Sequence, residues 1–233
     1  MKRILKNNKL MTPPNLPKGK ENSPFGGHRG SKLLKNLFVI FLLFSLNSFS
    51  QNKETISLWP GKVPGETKAK QPPVVTNNTK GHVTRVTDIT DPALVVYPAP
   101  AYNNNGAGVI ICPGGGYNIL AIDKEGYEIA EWLNTLGFSA FVLQYRVPKK
   151  QEGALQDAQR ALRIVRSKAK EWNLNPDKLG IMGFSAGGSL SARASTLYDK
   201  TTYQKIDKID ELSCRPDFAL LIYPAYLDKG ENR

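Results

Sequence analysis

"IMGFSAGGSL", residues 181–190, sets a serine between two glycines directly after an apolar run. Gly183-Phe184-Ser185-Ala186-Gly187 matches G-x-S-x-G, the pattern of a nucleophile elbow, in which a serine caps a sharp turn from a strand into a helix. The pattern has a physical basis. Such a turn holds the serine in strained backbone geometry, and side chains two residues before and after it would collide with the neighbouring strand and helix. The serine Oγ then stands clear above the sheet, and the next N–H groups open a helix whose positive end faces developing negative charge. The rival reading is a serine in an ordinary glycine-rich bend, so the surroundings decide.

Those surroundings alternate between strand and helix. "GVIIC" (108–112) is a short, wholly apolar run, as expected of a strand covered on both faces, and "FSAFVLQY" (138–145) and "DFALLIYPAY" (217–226) also read as buried strands. "HVTRVTD" (82–88) alternates like a half-buried strand, with "ALVVYPA" (93–99) as its expected partner. Between them, "EGYEIAEWLNTLG" predicts a helix with Ile129, Trp132, Leu133 and Leu136 on its buried stripe and Gly137 as C-cap. The clearest helix carries Leu155, Ala158, Leu162, Val165 and Ala169 at three- and four-residue steps, with Arg160, Arg163, Arg166 and Lys170 on a solvated face. Apolar strands alternating with helices predict an α/β fold, a mostly parallel sheet with helices on both faces, whose ligands bind outside the carboxyl ends of the strands.

The charge of +12 points at first to nucleic acid, but its position argues otherwise. Residues 1–50 hold nine Lys/Arg against one acidic residue, Glu21, which leaves 23 basic and 19 acidic residues, or +4, from residue 51 onward. No basic stripe interleaved with aromatics remains there, so nucleic acid is excluded as the expected partner. The basic start instead precedes "LFVIFLLFSLNSF" (37–49) and small residues at 48 and 50, the order of a secretory signal. Its apolar core is short of the about 20 residues of a membrane span. Residues 1–50 are therefore expected to be a disordered lead-in plus signal peptide, residues 51–233 the folded domain, and the location secreted or periplasmic. Within residues 51–80, "LWPGKVPGE" is the one stretch that reads as anchored. Cys112 and Cys214, the only cysteines, are too few and too far apart for a disulfide scaffold, and Cys112 reads as a small buried hydrophobe.

A second motif stands upstream of the serine in the right order. "CPGGGY" (112–117) ends the "GVIIC" strand, and its glycines let backbone N–H groups turn toward a substrate oxygen with no Cβ in the way. It corresponds to the HGGG-type oxyanion loop, with Pro113 where the histidine would stand. Together with "YRVP", "LQDAQRALRIVRSKAKEW", "IMGFSAGG" and "SCRPDFALLIYPAYL", this segment resembles the exported α/β-hydrolase esterases related to acetyl esterases and acetyl-xylan esterases. The likeness runs from about Ile56 to Leu227. It implies an α/β-hydrolase fold and hydrolysis of carboxylic esters, small esters or acetyl groups on carbohydrate, with no cofactor and no metal. It implies Ser185 as nucleophile, with oxyanion donors at the backbone N–H of Ala186 and of Gly114 or Gly115. Ser189 departs from the pattern, since relatives often carry histidine there.

A serine hydroxyl needs a base within hydrogen-bond reach and a carboxylate to orient that base. In this fold the order is Ser, Asp or Glu, then His, yet no histidine follows Ser185. The two present are His28, in the lead-in, and His82, upstream of the first strands and read as an ordinary strand-end residue. Asp228 follows the last apolar strand, one strand earlier than the usual acid. The expectation is thus a chain whose C-terminal strands, carrying acid and base, are missing. Rival readings are a non-catalytic α/β-hydrolase-like binding protein or inactive fragment, and a serine peptidase on the same fold, against which the lack of an appended propeller argues.

Overall fold

The computed structural model describes residues 53–76 and 80–227. The expected signal peptide, His28 and Asp228 lie outside the described residues. In chain order the strands and helices are β1 (Thr55–Ser57), β2 (Val74–Val75), β3 (Arg85–Thr87), β4 (Ala93–Tyr97), β5 (Gly108–Cys112), β6 (Leu120–Ala121), α1 (Glu128–Thr135), β7 (Ser139–Gln144), α2 (Gln151–Ser167), β8 (Leu179–Phe184), α3 (Ala186–Thr196) and β9 (Phe218–Ile222). The main sheet runs β1-β4-β7-β5-β8-β9. Its β7, β5, β8 and β9 are mutually parallel, while β4 is antiparallel to both β1 and β7. This is the mostly parallel, doubly covered sheet that the alternation of strands and helices predicts.

Both faces are covered because consecutive residues of β7 point to opposite sides. On one side Val142 lies so close under Gly126, in the turn leading into α1, that a Cβ there would sit 2.9 Å from its Cγ1. On the other, Phe141 packs against Trp172, just beyond α2, with ring centroids 4.8 Å apart. β5, β7 and β8 are buried almost throughout, as their unbroken apolar runs require. Cys112 and Cys214 are both buried and unbonded to each other.

Four expectations need correction. "HVTRVTD" does not pair with "ALVVYPA". β3 instead joins β2 and β6 in a separate three-stranded antiparallel sheet, and β4 enters the main sheet. The buried face of α1 is Ala130 and Leu133, continuing Gly126, whereas Trp132 and Leu136 are half exposed. The sheet approaches too closely at Gly126 for a larger side chain there, and Trp132 and Leu136 face outward, whereas Leu133 is buried and Ile129 packs against the core as expected. Gly137 does terminate the helix with φ +84°. β9 forms, but Leu220 and Leu221 on it are exposed, because among the described residues it pairs with β8 alone.

The fourth correction concerns Arg160, which is 2% exposed rather than solvated. Its guanidinium donates to Asp207 Oδ1 and Oδ2 at 2.8 and 2.6 Å, to Asp210 Oδ1 at 2.8 Å and to the Leu58 carbonyl at 3.1 Å. Arg163 and Arg166 likewise bond to the loop that precedes β9. The arginines of α2 therefore anchor that loop. The "LWPGKVPGE" stretch is anchored as expected, with Leu58, Trp59 and Val63 in the core.

The bonds from Arg160 hold the Asp207 carboxyl below the usual carboxylate range. A carboxylate depressed in the folded state contributes stability above its unfolded pKa, about 4, and loses it as pH falls through the folded value. Asp207→Asn is accordingly expected to be less stable than the parent at pH 7, with the gap closing on acidification to about pH 3. Denaturant curves at both pH values check this, and a gap of constant size would refute it.

Candidate active site

The serine occupies the strand-to-helix turn its glycines imply. Ser185 lies between the end of β8 and the start of α3 with φ +50° and ψ −115°, a conformation that L-residues rarely adopt. Both flanking glycines are sterically required. A Cβ on Gly183 would lie 2.0 Å from the Gly187 carbonyl oxygen, and one on Gly187 would lie 2.0 Å from that of Cys112. The turn is fixed on its far side as well. Ser185 N–H donates to the Ile222 carbonyl at 3.1 Å, and its own carbonyl accepts from Ser189 at 3.1 Å and Ala225 at 3.0 Å. The end of β9 thus clamps the elbow from one side, while the glycine loop after β5 borders it from the other.

That loop is held at nearly every residue. The Pro113 carbonyl accepts from the buried Tyr145 hydroxyl at 2.6 Å. The Gly114 carbonyl accepts from Ala121 N–H at 3.0 Å, which ties the loop to β6 and the small sheet. The Gly115 carbonyl accepts from Asn118 and Ile119, and Tyr117, at φ +55°, accepts from Lys149 N–H at 2.7 Å. Gly115 has φ +142°, and a Cβ there would meet the Ile119 carbonyl oxygen at 2.1 Å. No other residue fits.

The expected oxyanion donors are not equivalent. Gly114 lies against the serine, since a Cβ on it would sit 3.1 Å from Ser185 Cβ. Its N–H, however, donates to Glu125 Oε2 at 2.7 Å and is already engaged. Gly115 N–H has no acceptor among the described residues. Ala186 is the first residue of α3, and a first-turn N–H has no partner within its own helix. Ser189, one turn further on, is buried.

Two residues near the serine escaped the sequence reading. Glu125 sits in the π-turn Asp123–Tyr127 that leads into α1, and its Oε1 accepts from the Tyr223 hydroxyl at 2.6 Å. Tyr223 directly follows β9, and its ring packs on Phe184. Desolvation of the hydroxyl, and then its bond to Glu125, push the Tyr223 pKa up to about 12, so it stays a neutral donor near neutral pH. "DKEGYE" carries no pattern that separates Glu125 from a solvated helix start.

His82, the histidine among the described residues, is not brought to Ser185. His82 is exposed, on the short turn Lys80–His82 ahead of β3. Cys112, at the end of β5, is no rival nucleophile, because burial pushes its thiol up to about 12.

The acetylxylan esterase of Xylanibacter ruminicola is 42% identical over 123 residues, covering 52% of this chain and 23% of that protein. Endo-1,4-beta-xylanase B of Butyrivibrio fibrisolvens is 34% identical over 122 residues, covering 50% of this chain and 19% of that one. The chain therefore spans about a fifth of the length of these curated relatives. Among solved structures, the acetyl ester-xyloside bifunctional hydrolase from Caldicellulosiruptor lactoaceticus superposes with a TM-score of 0.60 at 35% identity, over 74% of this chain and 57% of that one. Esterase Est2 of Thermogutta terrifontis, at 23% identity and a TM-score of 0.53 over 62% of this chain and 53% of its own, supports the α/β-hydrolase fold alone. A model of the BD-FAE family matches residues 94–219, just over half of the chain and inclusive of the glycine loop and the elbow, and the chain thus belongs to the BD-FAE family.

Proposed function

We propose that the chain is a serine hydrolase of carboxylic esters, acting through an acyl-enzyme on Ser185, with acetyl groups on carbohydrate as the substrate class. The observation that carries this is Ser185 at φ +50° on a strand-to-helix turn whose flanking glycines admit no side chain, bordered by a glycine loop. In this reading Ser185 Oγ attacks the ester carbonyl while its proton passes to a base that is not among the described residues, and the alcohol leaves with that proton as the tetrahedral intermediate collapses. Water then releases the acid from the acyl-serine. Gly115 N–H and Ala186 N–H are the proposed oxyanion donors, because Gly114 N–H is spent on Glu125. Each such donor contributes on the order of 10²–10³ in rate. The similarity to an acetylxylan esterase and to an acetyl ester-xyloside hydrolase supports acetylated carbohydrate as substrate. The basic, then apolar, residues 1–50 support export.

The test is covalent capture. The chain is incubated with a fluorophosphonate, the adduct is mapped by peptide mass, and acetate release from acetylated xylan is measured alongside. One adduct on Ser185 is the expected result. An adduct on any residue other than Ser185 would overturn the assignment.

A further inference from the structure

We propose that Glu125 is the positioning residue of the oxyanion loop, an inference that rests on the reading of Ser185 as nucleophile. The carboxylate bridges two segments that both border the serine. One oxygen accepts from Gly114 N–H at 2.7 Å, and the other accepts from Tyr223 O–H at 2.6 Å, just past the end of β9. The position is tightly defined. A Cβ on Gly114 would sit 2.6 Å from Glu125 Oε2, 2.6 Å from the Phe184 carbonyl oxygen and 3.1 Å from Ser185 Cβ. The carboxylate and the serine therefore flank the same Cα.

The peptide that carries Gly115 N–H begins at that Cα. Fixing the Gly114 N–H on one side sets the direction in which the next N–H points, and that next one, Gly115 N–H, has no acceptor among the described residues. An ionised carboxylate accepts two donors at once, one per oxygen, and its bonds are stronger than those of a neutral acceptor. The same two bonds tie the glycine loop to the strand end that clamps the elbow through Ser185 N–H and the Ile222 carbonyl. Glu125 itself rides on a π-turn, in which Tyr127 N–H reaches back to the Ile122 carbonyl at 2.9 Å. Such turns are frequent at functional sites because the extra residue re-aims the side chains it carries. Here it aims a carboxylate at a loop backbone. Glu125 touches no reacting atom in this scheme; it acts through the peptide it orients.

The experiment compares Glu125→Ala, Glu125→Gln and Tyr223→Phe with the parent 233-residue chain in two readouts. The first is the second-order rate constant for capture of Ser185 by a fluorophosphonate, beside the melting temperature of each variant. Misplacing a catalytic group by an ångström costs about 100-fold, and Glu125→Ala is expected to slow capture by that amount while remaining folded. Glu125→Gln keeps an acceptor for Gly114 N–H and is expected to stay within about fivefold of the parent. Capture by Glu125→Ala at the parental rate, or loss in proportion to the unfolded fraction alone, would overturn the proposal. The second readout is the amide NMR signals of Gly115 and Ala186, which needs no chemistry at the serine. They are expected to move or broaden in Glu125→Ala and to return in Glu125→Gln. Unchanged signals would overturn the proposal even if no chain is captured, whereas an adduct on another residue would separately remove the nucleophile reading. Should Glu125→Ala fail to fold, Tyr223→Phe removes one of the two bonds from an exposed residue, and an unmoved Gly115 signal there decides against the bridge.

Discussion

Alanine at position 185 is expected to abolish fluorophosphonate capture with little change in stability, and glycine at the same position is expected to raise stability. The two substitutions separate chemistry from strain. Both remove the hydroxyl, so neither should acquire an adduct. Only glycine also removes the Cβ that makes φ +50°, ψ −115° costly. Strain of this kind costs on the order of 1–3 kcal/mol, and the added freedom of glycine in the unfolded chain returns part of it, leaving a net gain of about 1 kcal/mol. That corresponds to a rise of about 2–4 °C in Tm. Calorimetry on the parent and both variants makes the comparison. A glycine variant no more stable than the alanine variant would show that the turn is not strained, and the physical argument for an elbow would go with it.

The second large effect is on folding. Asp157, fully buried, accepts from Trp59 Nε1 at 2.9 Å, from Arg146 N–H at 3.0 Å and from Arg146 Nε at 2.9 Å. Arg146, also buried, continues to the carbonyls of Gly153 and Pro64 and to Gln156. Asp157→Ala would leave a guanidinium and two further N–H donors without their acceptor. A buried pair broken on one side costs about 3–5 kcal/mol. Replacing both partners, as Arg146→Met with Asp157→Leu, removes the orphaned charge and is expected to recover most of that loss. Denaturant midpoints of the single and double variants provide the test. A double variant as unstable as Asp157→Ala would show that packing, not charge, dominates at this position.

These residues also mark where the sequence could be read and where it could not. The strands β5, β7 and β8 and the helix α2 were legible because one side-chain property, apolarity at a fixed period, decides them locally. The elbow was legible for a similar reason, since backbone overlap at Gly183 and Gly187 leaves glycine alone, and such constraints show as letters. Arg160 was not legible. Its burial depends on Asp207 and Asp210, some fifty residues away, and an arginine on a helix reads as solvated until its partners are placed. The inner face of α1 was legible in part: Leu133 and Ile129 pack inward as read, but Gly126 and Ala130 beside them are passed over by a search for large apolar residues, and Trp132 and Leu136 face outward. The pairing of β3 with β6 rather than β4 is likewise a non-local choice. Glu125 is the instructive case at the candidate site. Its neighbours in space, Gly114 and Tyr223, come from two other parts of the chain, so nothing in "DKEGYE" announces them.

The anchoring of Leu58, Trp59 and Val63 bears on where this domain starts. Similarity to the BD-FAE family begins at residue 94, yet the indole of Trp59 reaches Asp157 and the carbonyls of Leu58 and Pro64 are acceptors for Arg160 and Arg146. The stretch that homology leaves out is therefore plumbed into the ionic interior of the stretch it includes. Cooperativity, rather than sequence likeness or regular secondary structure, draws the boundary here. A piece trimmed to the homologous residues would keep the elbow and the glycine loop on paper while opening the charged centre of the molecule to water.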